Sequence, residues 1–184
     1  MNPAPWDAVG ALAPLPFIPW SGDVWRVHLA RFSPDDATGS TIASGRFHRA
    51  QAQYPATDHW RALYLSLGSD IPIGEILRRF GPHRPLAGLR SYRRTKPFVS
   101  LSAVLDCRNL AALGLTEDAL LDDLSYDVGH ALGLAALRRG AEGILVPSAT
   151  RAGDNLIVFP DNLRPMARVE PTTDIIELTH FVIP

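Results

Sequence analysis

The sequence predicts an α+β fold. Segments with strand character lead at both ends of the chain and the clearest helical patterns fall between them. That order lacks the regular strand–helix alternation of a doubly wound sheet. A length of 184 residues suits a single domain. Such a domain buries roughly two-thirds of the surface its unfolded chain exposes, so it needs no metal or disulfide staple. Hydrophobic residues at 46% and charged residues at 20% give the balance of an ordinary globular protein.

The first 22 residues contain five prolines, carry Asp7 and have no Lys or Arg. That pattern matches neither a secretory signal nor a membrane span. It reads as a proline-rich arm, extended, with Trp6, Phe17, Ile18 and Trp20 packing onto the domain or a partner. Residues 23–184 then form one catalytic-sized domain. The alternation in 23–32 reads as a strand. Residues 33–45 are turn formers and read as a long loop. A second strand covers 61–67. Ser69 or Asp70 can cap the helix 71–80, with Pro72 tolerated in its first turn. That helix sets Ile73, Ile76, Leu77 and Phe80 on one face and Glu75 opposite, near Arg78 and Arg79. A Pro/Gly loop spans 81–88. Strands follow at 89–96 and 97–106, a short helix capped by Thr116, and a longer helix 126–140 ended by Gly140. Strands 143–148 and 155–160 flank a polar loop, and 173–183 reads as a terminal strand.

The bulk numbers exclude some chemistry. A net charge of −1 argues against a protein built to coat nucleic acid or anionic membrane. The single cysteine, Cys107, makes no internal disulfide, which suits a reducing, cytoplasmic setting. The six histidines have no metal-ligand spacing, so no metal is expected. There is no phosphate loop and no dinucleotide fingerprint. The basic run Arg90, Arg93, Arg94, Lys96 reads as a solvated strand face; the competing reading is a nucleic-acid-binding module using Arg90–Lys96.

Six side chains are candidates for chemistry, each with an ordinary alternative. Glu75 is either an exposed helix acid making weak pairs with Arg78 and Arg79, or a carboxylate facing a cleft. Arg26, inside a strand, is either an edge residue or a planar fork for pyrophosphate or carboxylate. Arg46 follows Gly45 in a loop. Tyr64 is a core residue or a ligand platform. Ser148 ends a strand after Pro147 and lies outside any G-x-S-x-G elbow, so it is no hydrolase nucleophile. Asn155 follows Gly153-Asp154 and fits a turn.

Taken in order, "WR" (25–26), "GRFH" (45–48), "ALYLSL" (62–67), "IGEILRR" (73–79) and "AEGILVPSATRAGDNLIVFP" (141–160) resemble the RES family, many of whose members are toxins of bacterial toxin–antitoxin pairs. The resemblance covers about 23–163. It implies an ADP-ribosyltransferase-like fold, two small sheets holding NAD in a cleft, and NAD-consuming chemistry. On this resemblance Arg26, Arg46, Tyr64, Ser148 and Asn155 bind NAD as substrate, while Glu75, Arg46 and Ser148 form the catalytic set. It implies a helix-turn-helix (Xre-like) antitoxin as partner, in a homodimer or a toxin–antitoxin hetero-oligomer, with no membrane and no direct nucleic-acid contact. The expected reaction cleaves the nicotinamide–ribose bond, as a glycohydrolase or phosphorylase that depletes NAD; the alternative is mono-ADP-ribosylation of a protein. The loop departs from the family's usual Gly-Gly-Arg-Trp-Asn, reading Ser44-Gly45-Arg46-Phe47-His48.

Overall fold

The computed structural model describes residues 6–80, 91–171 and 175–178. Along the chain run α1 (Ala8–Leu12), β1 (Ile18–Asp23), β2 (Arg26–Leu29), α2 (Gly39–Ile42), β3 (Leu63–Ser66), α3 (Ile71–Phe80), β4 (Tyr92–Thr95) and β5 (Phe98–Asp106). Then come α4 (Glu117–Leu120), α5 (Asp127–Arg138), β6 (Gly143–Pro147), β7 (Asp154–Val158), β8 (Arg168–Glu170) and β9 (Ile175–Leu178). The strands make two sheets. The larger has the order β1-β5-β6-β7-β3, with β8 also pairing β5; the smaller has the order β2-β4-β9. Within them only β5 and β6 run parallel. A parallel pair needs a long crossover, and the chain between these strands supplies one carrying α4 and α5.

The large sheet is buried on both faces, which is why β6 and β7 read as unbroken apolar runs. On one face Ile144, Val146, Ile157 and Phe159 pack with Leu132, Ala136, Trp60 and Leu105 beneath α5. On the other, Leu145, Leu156, Val158, Leu63 and Leu65 pack with Val99, Leu101 and Val24. Glu142, fully buried just before β6, is held by Ser102 N–H at 2.6 Å, Ala103 N–H at 2.8 Å, Arg164 N–H at 2.9 Å and the Ser102 hydroxyl at 2.9 Å. Burial alone would raise this carboxyl's pKa; the four donors outweigh it and hold the pKa below the ordinary glutamate value.

The first 22 residues differ from the extended arm expected. They carry α1, capped by Asp7 accepting from Gly10 N–H at 3.0 Å, and most of β1, an edge strand of the large sheet. Pro19 sits at the register shift between Ile18 and Trp20, where an edge strand tolerates a missing N–H. The segment packs onto the domain: Trp6 Nε1 donates to Leu113 O at 2.9 Å, and Arg139 donates to the carbonyls of Leu12 and Leu15.

Strand 23–32 is shorter than its alternation suggests. Val24 is fully buried and Trp25 forms an isolated antiparallel bridge with Ser66. That bridge joins the start of the small sheet to the last residue of β3. The long loop 33–45 contains α2. Helix 126–140 is realised as α5, with Gly140 just beyond it at φ +85°. Thr116 caps α4 by accepting from Ala119 N–H at 3.2 Å. The Pro/Gly loop at 81–88, Arg90 and the end of the terminal strand past 178 lie outside the described residues. Among the described residues no helix is long and apolar enough to cross a membrane.

Candidate active site

The two-residue period of the strands assembles the site. Tyr64 and Ser66 on β3, Asn155 and Ile157 on β7, and Ile144, Val146 and Ser148 at β6 share the α5-covered face of the large sheet. Ser66 and Asn155 are register partners. Ser66 Oγ donates to Asn155 Oδ1 at 2.8 Å, which fixes the amide so that its NH2 points the other way.

What lies there is Glu75. Its Oε1 accepts from Asn155 Nδ2 at 2.6 Å, Ser148 Oγ at 2.8 Å and Ala149 N–H at 3.3 Å. Ser148 and Asn155 are buried, at 0% and 3% exposure, while Glu75 is half-buried. The Ser148 oxygen is itself fixed, accepting from Thr150 N–H at 3.1 Å and lying 2.9 Å from the Thr150 hydroxyl. Among the described residues Glu75 Oε2 accepts nothing. One carboxylate oxygen is anchored by three donors and the other is left for whatever enters.

The packing of α3 decides between the two readings of Glu75. Glu75 makes no pair with Arg78; Arg78 pairs with Asp123 instead. The face turned to the domain is Ile71, Gly74, Glu75 and Arg78, at the i, i+3, i+4, i+7 spacing of one helical stripe. Ile73, Ile76 and Leu77 are half-buried, as Gly74 and Glu75 are. The loop after β6 forces this choice. A Cβ on Gly74 would stand 3.0 Å from Thr150 Cγ2, and a Cβ on Gly153 would stand 2.7 Å from Ile71 Cδ1. Glycine at both places lets helix and loop approach closely enough for Glu75 to reach Ser148. Asp70 starts the helix through its carbonyl, which accepts from Gly74 N–H at 3.1 Å.

The loop carrying Arg46 lies against α5. A Cβ on Gly129 would be 2.3 Å from Arg46 O, and one on Gly133 2.3 Å from Phe47 O, so that side of the helix must be bare. Tyr64 and His48 brace the loop from the sheet. His48 Nε2 lies 3.0 Å from Ala43 O and must carry a proton; Nδ1 is then an acceptor, from Gly45 N–H at 3.2 Å and the Tyr64 hydroxyl at 2.9 Å. The Tyr64 oxygen in turn accepts from Phe47 N–H at 2.9 Å. His48 thus closes the loop on itself, where the family's amide stands.

Arg46, 8% exposed, donates Nη1 to the carbonyls of Leu120 and Asp122, Nη2 to Asp123 Oδ1 at 2.9 Å, and lies 4.9 Å from the Tyr126 ring centre. Asp123 Oδ2 takes Arg78 Nη2 at 2.7 Å and Nε at 3.0 Å. Burial pushes the Asp123 pKa up, but Arg78 and Arg46 together bring it below the ordinary aspartate value. A hollow of about 390 Å³ opens beside this ion pair, lined by Ser44, Tyr54, Asp123, Tyr126 and His130 among others. His130, packed against Tyr54, Trp60 and Tyr126, has its pKa lowered chiefly by burial.

Arg26 follows the Trp25–Ser66 bridge and donates to the carbonyls of Pro34 and Asp36. Among the described residues it pairs with no carboxylate, and burial lowers its pKa to about 10 despite nearby Asp36 and Asp35. A buried guanidinium held by carbonyls alone, with carboxylates only nearby, attracts an anion.

A family model for the RES domain matches residues 23–180. The chain belongs to the RES-domain family. No curated protein matches it closely. Among solved structures it is similar to a chain of the M. tuberculosis MbcT–MbcA toxin–antitoxin complex, with 21% sequence identity and a TM-score of 0.75. The match covers 94% of this chain and 92% of that one. The RES domain here thus shares an α+β, two-sheet fold with that chain.

The structure of this RES domain brings Glu75, Ser148 and Asn155 into direct contact and ties Arg46 to the same helix through Asp123 and Arg78. Tyr64 touches the Arg46 loop, and Arg26 reaches the 34–36 loop. Sequence reading left out Ser66, Thr150, Asp123 and Arg78. The two-residue period of β3 places Ser66 on Tyr64's face and could have flagged it. Nothing local marks Asp123, because its partners are distant in sequence. The basic run is committed elsewhere: Arg93 to Glu177 at 2.6 Å, Lys96 to Asp23 at 2.8 Å, and Arg94 over the Trp25 ring at 5.2 Å.

Proposed function

We propose that this RES domain is the toxin of a bacterial toxin–antitoxin pair and cleaves NAD at the nicotinamide–ribose bond. The observation that carries this reading is the half-anchored Glu75 carboxylate. Breaking the bond builds positive charge on the ribose, in an oxocarbenium-like transition state. A fixed anion near that carbon stabilises the charge without reorganising as it forms. The donors from Ser148, Ala149 and Asn155 supply the fixing, and the free Oε2 faces the sugar. Nicotinamide leaves neutral, so no general acid is needed. Arg26 and Arg46 attract the pyrophosphate. Tyr64 acts by holding the Arg46 loop, and Ser148 by orienting the carboxylate. The acceptor is water or phosphate, and the product is depletion of NAD in the cytoplasm.

A partner of the helix-turn-helix antitoxin class follows from the same reading, supported by the kinship with a toxin from a toxin–antitoxin complex. Co-expression with such a protein should restore growth.

Glu75→Gln tests the chemistry. Glutamine offers an oxygen to the same three donors, so the fold should persist while the charge goes. Nicotinamide release from NAD should fall by about 10²-fold or more. Undiminished release would take Glu75 out of the mechanism.

A further inference from the structure

The geometry points to a further anion-binding arginine at this site, Arg78, beside Arg46, and to Asp123 as an internal occupant that the substrate's diphosphate displaces. The two guanidiniums of Arg46 and Arg78 grip opposite oxygens of one carboxylate, Arg46 at 2.9 Å on Oδ1 and Arg78 at 2.7 and 3.0 Å on Oδ2. Two arginines on one small anion is the arrangement that suits a phosphate group.

The mobility of the partners is unequal. Arg46 is buried, anchored by the carbonyls of Leu120 and Asp122 and set against the Tyr126 ring, so it stays in place when the carboxylate leaves. Asp123 stands on the exposed bend between α4 and α5, with its side chain 51% exposed, and the next residue, Leu124, is 97% exposed. The carboxylate can swing into water, and the incoming anion replaces its bonds to both arginines. Its departure opens the arginine pair to the 390 Å³ hollow that Asp123 now borders.

Position fits the chemistry. Arg78 follows Glu75 by three residues on the same stripe of α3, a rise of about 4.5 Å along the helix. A diphosphate on Arg46 and Arg78 therefore meets the same stripe of α3 that carries the Glu75 carboxylate. Only the identity of the anion rests on the NAD reading; the arginine pair does not.

The test is calorimetric titration of the full chain with inorganic pyrophosphate. Asp123→Asn removes the competing charge and should bind pyrophosphate about tenfold tighter than the unchanged chain, a gain that shrinks with added salt. Adding Arg78→Gln to Asp123→Asn should abolish the gain. An ion pair with a merely structural role predicts equal or weaker binding in Asp123→Asn. Circular dichroism checks that both variants fold; half-exposed side chains make this the expected result. Equal or weaker pyrophosphate binding by Asp123→Asn overturns the proposal, as does a gain that survives Arg78→Gln. Nicotinamide release by the unchanged chain is scored separately. Turnover without the pyrophosphate gain removes Asp123 and Arg78 and leaves the NAD reading; the gain without turnover does the reverse.

Discussion

Asn155→Asp places a second carboxyl against Glu75 and makes the stability of the fold depend on pH. The Asn155 amide nitrogen lies 2.6 Å from Glu75 Oε1 in a position only 3% exposed, so the new group cannot turn to water. Two unit charges at that separation repel by about 1.6 kcal/mol in a medium like water and about 6 kcal/mol at an effective dielectric of 20. Converted to proton affinity, this raises the upper titration step of the pair by ~1 to ~5 pH units. The folded variant then holds one more proton than its unfolded chain at intermediate pH. Stability therefore falls as pH rises, from the unfolded value near ~4 up through the raised value. Below that window the protonated carboxyl donates to Glu75 much as the amide does, and the variant should match the parent chain. Urea unfolding of both proteins at pH 4.5, 6 and 8 reads the difference directly. The gap should widen by about 1 kcal/mol or more between the lowest and highest pH, since pH 4.5 already lies just inside the window. A constant gap would mean that residue 155 does not face the Glu75 carboxylate, and the anchoring scheme would fail.

Glu142→Ala should cost about 3–5 kcal/mol, because it strands three backbone N–H groups and the Ser102 hydroxyl without an acceptor. Since the folded Glu142 pKa is depressed, its stabilisation is present above the unfolded value and lost as pH falls through the folded one; Glu142→Gln should flatten that acid limb in a denaturation series. Gly133→Ala drives a methyl to 2.3 Å from Phe47 O, and should lower stability by about 1–3 kcal/mol while displacing Arg46 and reducing nicotinamide release. Cys107 is fully buried and its thiol is pushed up to about 12, chiefly by burial, so iodoacetamide at pH 8 should label it only in the unfolded protein.

The legible parts of this protein are those whose cause is local. Strands β3, β5, β6 and β7 follow from apolar runs between turn formers, and α3, α4 and α5 from period, Thr116 and Gly140. The family pattern marked Glu75, Ser148, Asn155 and Arg46, and the structure gathers these around one helix. Which face of α3 docks stayed open in the sequence, because period alone ranks faces by hydrophobicity. Here the polar loop after β6 packs closely on the helix, Thr150 against Gly74 and Gly153 against Ile71. The N-terminal segment was misread because its prolines argue against a strand, whereas an edge position with a bulge tolerates one.

What the sequence determined by itself was most of the elements from β3 to β7 and the chemical types present, since propensity, capping and the two-residue alternation act within a few neighbours. Which carboxylate receives which donors was decided only in three dimensions. Ser66 meets Asn155, Asn155 meets Glu75, and Asp123 meets both Arg46 and Arg78 across dozens of residues, because sheet register and glycine-permitted contacts bring them together, and no local pattern encodes those distances.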